Sequence, residues 1–318
     1  MHTEMVNSIH NKPQYLEYEY NFNWETVYFG LLLPAIPYQF FTLARMCYMY
    51  CKSKSKATLH LVPFTSLMMM GYSNLSLCIF DTLVFRLPST GLLTVWCASS
   101  EPNKFLISLY ILQLISTYLS VGSSLLFCVT RFIIHFIPLS YKKITAWTLL
   151  CGYVFILCFG IYASSFMFEG VGYCRQWDHP FSFGAVYISY AGTDQRHDPF
   201  FVPLTITGAS FIVLFNIGVI YLGKKMAKTT NAGRRVYTDS AGKSLYYTTF
   251  AMIIPYLFHG ILTVVSLYYP ATSAYVILVR SPVTDFFQCS ILALYNKHPM
   301  FQTKKTTPVA IIPLSNLS

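Results

Sequence analysis

Asp81, Arg280 and Asp285 are ionisable residues set within long apolar stretches of the chain, where a charge is costly unless it meets a partner or a ligand. Arg280 and Asp285 stand on adjacent turns of one stretch. An internal ion pair that fixes helix register and a ligand or ion site are both open readings, and Arg280 next to an interface is a third. His259, in another apolar stretch, reads as a core histidine or a ligand contact. A polar stripe is the next candidate. Gln113, Ser116, Thr117, Ser120, Ser124, Cys128 and Arg131 recur at steps of three and four, which keeps them within about 60° of one meridian at 100° per residue. Lipid penalises such a face, so it should look into a bundle, with Gln113, Ser116 and Thr117 as pocket residues towards one end and Arg131 at the other. Close helix packing by small Ser and Thr side chains is the alternative role.

Other chemistry lacks its residues. The eight histidines, at 2, 10, 60, 135, 179, 197, 259 and 298, never fall at the i, i+4 spacing that lets two imidazoles share a metal on one helix face. Gly242-Lys243-Ser244 ends like a phosphate-binding loop, but the glycine that should precede it is Tyr237. Neither a G-x-S-x-G elbow nor a kinase signature set occurs. The expectation is a protein that is not an enzyme and holds no metal or cofactor.

The elements that must position these residues follow from composition. Of 318 residues, 54% are apolar and only 11% charged, too few charges to cover a soluble surface. The apolar residues come in continuous blocks near the roughly 20 residues of a helical membrane crossing, and a barrel would instead show alternating segments of about ten. The fold class expected is an all-α membrane protein, a seven-transmembrane helix bundle with spans near 27–50, 59–80, 105–130, 147–167, 200–222, 245–268 and 274–295. The apolar run Phe181–Ala191 is too short to cross and is expected as loop. Residues 1–26 are polar and acidic, with no signal-peptide pattern, so the first span is expected to direct insertion itself. Pro34, Pro37, Pro63, Pro203, Pro255 and Pro282 are expected to interrupt helices, with Pro255 as a candidate hinge in the sixth.

Charge assigns the sides. One set of flanks carries fifteen Lys and Arg against the single acid Asp239, and the other carries five, Arg86 among them, against nine acids. Cytoplasmic loops retain positive charge, so the amino terminus is expected outside and residues 296–318 form an inner tail. The net +10 is then a juxtamembrane charge facing anionic lipid, and nucleic acid is not needed to explain it. Cys97 and Cys174 are the two cysteines on the outer, oxidising side. They are expected to tie the start of the third span to the loop after the fourth, two free thiols being the alternative. Trp24, Trp96, Trp147 and Trp177 are each expected at a membrane edge.

Seven spans, an outer cysteine pair and a basic inner face resemble the G-protein-coupled receptors, and Thr130-Arg131-Phe132 with Pro138 downstream looks like their D-R-Y motif. Thr130 replaces the acid and removes the arginine's usual local partner. Span seven ends at Tyr295-Asn296 without an N-P-x-x-Y sequence, so rhodopsin switches are not carried over. More specific are Ile9-His10-Asn11-Lys12-Pro13 with Tyr15, Tyr18 and Tyr20, and the run from Pro88 through Trp96-Cys97 to Pro102-Asn103. These resemble nematode serpentine chemoreceptors of the Srg superfamily, class U, over essentially the whole chain.

That resemblance implies a chemosensory receptor in the plasma membrane or a sensory cilium. Its partners would be a small-molecule ligand, a heterotrimeric G protein and membrane lipid. The pocket is expected between the outer halves of spans three, five, six and seven, under the loop held by Cys97 and Cys174, with Gln113, Ser116, Thr117, His259 and Arg280 in it. Arg131, Lys224, Lys225, Lys228, Arg234 and Arg235 would meet the G protein. A secondary transporter, using Asp81, Arg280 and Asp285 as its site, and a seven-span ligand-gated channel of opposite orientation are the alternatives.

Overall fold

The computed structural model describes residues 8–52, 61–136, 141–193, 201–229, 251–265, 268–269 and 272–296. Six helical segments in it are long and apolar enough to cross a membrane: Trp24–Lys52, Phe64–Ser89, Lys104–Ile133, Lys143–Met167, Phe201–Gly218 and Ala274–Leu294. A shorter apolar helix, Ala251–Val265, covers the middle of the expected sixth span, whose earlier residues lie outside the described ones.

In chain order the elements are α1 (Pro13–Leu16), α2 (Trp24–Leu32), α3 (Ala35–Lys52), α4 (Leu61–Asp81), a π turn (Thr82–Arg86), α5 (Leu87–Ser89), α6 (Thr94–Ser99), α7 (Lys104–Phe136) and α8 (Tyr141–Ser164). A 3-10 turn (Ser165–Met167), β1 (Val171–Gln176), β2 (Val186–Ala191), α9 (Phe201–Thr229), α10 (Ala251–Val265) and α11 (Ser273–Asn296) complete them.

Local sequence sets several of these boundaries. Asn23 caps α2, its Oδ1 accepting from Thr26 N at 2.9 Å, and Asn103 does the same for α7 through Leu106 N at 2.9 Å. Lys104 Nζ donates to the carbonyls of Phe168, Glu169 and Gly170, closing the free carbonyls beyond the fourth span. The first span is broken at Leu33-Pro34 into α2 and α3. Pro37, Pro63 and Pro203 stand in the first turns of α3, α4 and α9, where no N–H bond is lost, so they start helices and do not interrupt them. Pro255 and Pro282 lie inside α10 and α11.

The hub is α7, which packs against α4, α8 and α9, while α11 packs along α3. Its polar stripe faces inward, with Gln113, Ser116, Thr117, Ser120, Ser124, Cys128 and Arg131 all buried. Successive members reach different neighbours. Ser120 donates to Asn74 Oδ1 of α4 at 2.6 Å, Ser124 accepts from Tyr256 of α10, and Cys128 Sγ accepts from Asn216 of α9 at 3.1 Å. The outward side of α8 is the opposite case: Trp147, Phe155 and Tyr162 stand two-thirds exposed, an apolar face of the kind lipid covers.

One end of the bundle is closed by a cap absent from the sequence reading. The run Phe181–Ala191 is not loop throughout, since its second half forms β2, paired antiparallel with β1 in the register Tyr173↔Ser189. Cys97 and Cys174 are bridged. The bridge starts from the short helix α6, before the third span begins, and ends on β1. β1 rests on the backbone of α7 at Gly172, where a Cβ would lie 2.2 Å from Ile107 N. Gly184, at φ +90°, holds the turn under the Tyr18 ring. The amino-terminal segment joins this cap instead of trailing free: Ile9 N donates to Cys174 O, Asn11 N donates to Ala98 O, and Tyr15 stacks on Phe183. Trp177 is buried inside the cap and not at a membrane edge, stacked on Tyr187 at 3.9 Å with Nε1 donating to Ser89 Oγ at 2.7 Å. Burial pushes the Tyr187 phenol above its ordinary range, so it stays neutral.

Candidate functional site

Beneath the cap, α4, the π turn and α11 bring four charges together. Asp81 and Arg86 are five residues apart, which on an α-helix sets them about 140° from each other. A π turn closes i to i+5, and it covers Thr82–Arg86, so both side chains fall on one face. Arg86 Nε donates to Asp81 Oδ2 at 2.7 Å, and its two terminal nitrogens form a fork with the carboxylate of Asp285, Nη2 to Oδ1 at 3.1 Å. Arg280 and Asp285 are also five apart, but on regular helix, and so face different partners. Arg280 Nη2 reaches Asp81 Oδ1 at 3.5 Å, the limit of a hydrogen bond. The pairing within α11 that the sequence left open is therefore replaced by pairs between helices. Cys78 Sγ donates to Asp285 at 3.5 Å and Ser281 Oγ to Asp81 at 3.5 Å.

A cavity of about 70 Å³ adjoins this cluster. Its walls come from α4 (Asn74, Cys78, Asp81) with Arg86, from α7 (Thr117, Ser120, Ser124), from α10 (Pro255, Tyr256, His259) and from α11 (Arg280, Thr284, Asp285, Gln288). Among the described residues this cavity differs from the expected pocket in two respects. The second span lines it and the fifth does not, and Gln113 and Ser116 fall outside it, with Gln113 Nε2 donating to Thr117 Oγ1 at 3.4 Å. Thr117, His259, Arg280, Asp81, Asp285 and Pro255 are brought together as lining residues. The His259 Nδ1 and Gln288 Oε1 atoms are buried with no hydrogen-bond partner among the described residues. No group of three or more His, Cys, Asp or Glu among the described residues could hold a metal ion.

At the far end of α7, Arg131 is buried, its Nη1 donating to Met252 Sδ of α10 at 4.0 Å and its guanidinium 5.5 Å from the Phe127 ring. Lys224, Lys225 and Lys228 belong to α9 with side chains outside the described ones, and Arg234, Arg235 and Pro138 lie outside the described residues.

Helices long enough to cross a membrane, a bridged cysteine pair and an inward polar stripe on α7 frame a comparison with known proteins. A model of the family described as serpentine type 7TM GPCR chemoreceptor Sru matches residues 9–304. The chain belongs to the serpentine class U chemoreceptor family. Serpentine receptor class U-26 of Caenorhabditis elegans is 33% identical over 181 residues, 56% of this chain and 62% of that relative, so the match spans less than two thirds of the relative's length. The class U assignment replaces the wider Srg label drawn from the motifs. Class U is a receptor family and not an enzyme family, and the apolar helices of this chain are those of a multi-pass membrane protein.

Arg86 is the residue of this class U chain that sequence reasoning missed. A count at 3.6 residues per turn places it off the Asp81 face, and its charge beside Pro88 reads as the exit from the membrane. The available signal was the pair itself, because two buried acids, Asp81 and Asp285, need more cation than Arg280 alone supplies.

Proposed function

We propose that this chain is a chemosensory G-protein-coupled receptor of seven spans, amino terminus outside and carboxyl terminus inside, in the plasma membrane or a sensory cilium. A small molecule binds in the cavity between α4, α7, α10 and α11, and a heterotrimeric G protein is received at the Arg131 end with Lys224, Lys225, Lys228, Arg234 and Arg235. One observation carries the reading: α10 lines the cavity through Tyr256 and His259 and, from the same helix, places Met252 against Arg131. A ligand that favours a different setting of α10 therefore changes what surrounds Arg131. Pro255 lies between the two contacts, where the broken carbonyl ladder supplies the hinge. The shift is as large as the ligand's preference for one state over the other.

Ligand-stimulated nucleotide exchange on a co-expressed G protein should fall at least tenfold for Arg131→Ala; exchange equal to wild type would refute the coupling. A tag on the amino terminus should be stained on intact cells, and staining only after permeabilisation would reverse the sidedness. The buried ion cluster is the feature a transporter would use, and uptake of substrate into proteoliposomes is expected to be absent.

A further inference from the structure

The charges around the cavity sum to zero. Asp81 and Asp285 face Arg86 and Arg280, and the rest of the lining is neutral amide, hydroxyl, thiol, imidazole and hydrocarbon. An imidazolium at His259 would bring a further cation towards Arg280 with no acid of its own. In such surroundings an ion of either sign enters without a counter-charge and loses its water. Hydrogen-bonding capacity, in contrast, is left over. Arg86 uses three nitrogens on two carboxylates, whereas Arg280 has one long bond among the described residues. His259 Nδ1 and Gln288 Oε1 have no hydrogen-bond partner among the described residues, and Gln288 is only 8% exposed. A buried amide oxygen left so is restored by water or by a polar ligand. The space holds about five waters at 10–15 Å³ each, hence a ligand of about that many heavy atoms.

Building on the ligand-pocket reading above, we infer that the cavity selects small uncharged molecules bearing both a donor and an acceptor, and discriminates against carboxylates and cations of the same shape. The acceptor of the ligand takes the free N–H groups of Arg280, and its donor takes Gln288 Oε1.

Propanamide, propionate and propionamidinium test this, being planar five-heavy-atom isosteres that differ in charge at pH 7.4. Each is titrated against the full chain in lipid nanodiscs while the thermal unfolding midpoint is read. Propanamide should raise the midpoint at concentrations roughly tenfold or more below those the two ions need. Asp285→Asn leaves the cluster at +1 and should put propionate ahead of propanamide; Arg280→Gln leaves it at −1 and should put propionamidinium ahead. If Asp285→Asn does not fold, the Arg280→Gln order alone decides. Thr284→Phe fills the cavity without altering a charge and should remove the propanamide response. An ion that stabilises wild type as well as propanamide does, with the effect lost in Thr284→Phe, overturns the selectivity while leaving the pocket. A propanamide shift that survives Thr284→Phe removes the pocket itself, and no shift from any of the three overturns the inference.

Discussion

The cap and the cavity beneath it are both buried and, among the described residues, both keep polar atoms without a hydrogen-bond partner, but His10 Nδ1, Glu25 Oε2 and Arg175 Nε lie within the packed cap whereas His259 and Gln288 border a cavity. In the cap, Trp177 donates to Ser89, Thr94 donates to Gly184 O, Ser182 N donates to Glu25, and Gln176 bonds both ways across the hairpin turn. A disulfide and a stack of aromatic rings fix the rest. In the cavity, each Arg86 nitrogen meets a carboxylate, whereas among the described residues Arg280 has one long bond and His259 Nδ1 and Gln288 Oε1 have no partner. A disulfide, stacked rings and cross-bonds specify one arrangement, whereas leftover donors and acceptors beside open space keep a site available for a guest. The cap behaves as a fixed lid, and the adaptable chemistry lies below it.

Substitutions can break or sharpen that contrast. The largest effect is expected for Arg86→Met, which strands two buried carboxylates and should cost about 3–5 kcal/mol by thermal unfolding of the reconstituted chain. Adding Asp285→Asn, which leaves Asp81 with Arg280, should recover most of the loss; no recovery would mean that the arginine acts by shape and not by charge. Cys97→Ser opens a tie across 77 residues and should cost about 2–4 kcal/mol, with the order of ligand preference unchanged. Gly172→Ala puts a methyl group against the Ile107 backbone and should cost about 1–3 kcal/mol, measured in the same way. Trp177→Phe removes the bond to Ser89 and should cost about 1 kcal/mol. Were any of the three cap substitutions to reorder propanamide, propionate and propionamidinium, lid and cavity would be one unit and the contrast would fail.

The inward stripe of α7 was legible because seven residues at helical spacing repeat one physical requirement, and the long apolar blocks were legible for the same reason. The cap was not. β1 holds Arg175 and Gln176 beside Val171 and Tyr173, a mixture with no clean alternation, because the hairpin packs against α7, the π turn and α5 while Ser8 and Asn103 pair along the free edge of β1. Trp177 misled because an aromatic ring near a span reads as an interface anchor, and only the fold shows that Tyr187 and Phe181 enclose it. The second helical segment continues to Ser89, past the expected end near residue 80, because Asp81 and Arg86 pair across the π turn and do not open a loop. The fifth span was expected at the pocket. Asn216 of α9 turns to Cys128 of α7, and among the described residues none of α9 lines the cavity.

The widened turn at Thr82–Arg86 amounts to one amino acid more than a regular helix would need over the same rise. A gene that lost a single codon there would encode a segment of nearly the same hydropathy and length. Its product would nevertheless swing everything beyond the deletion by about 100°, carrying the guanidinium away from both aspartates and the cap away from its seat. The shape of this cavity thus hangs on a count of residues, a property that composition does not register.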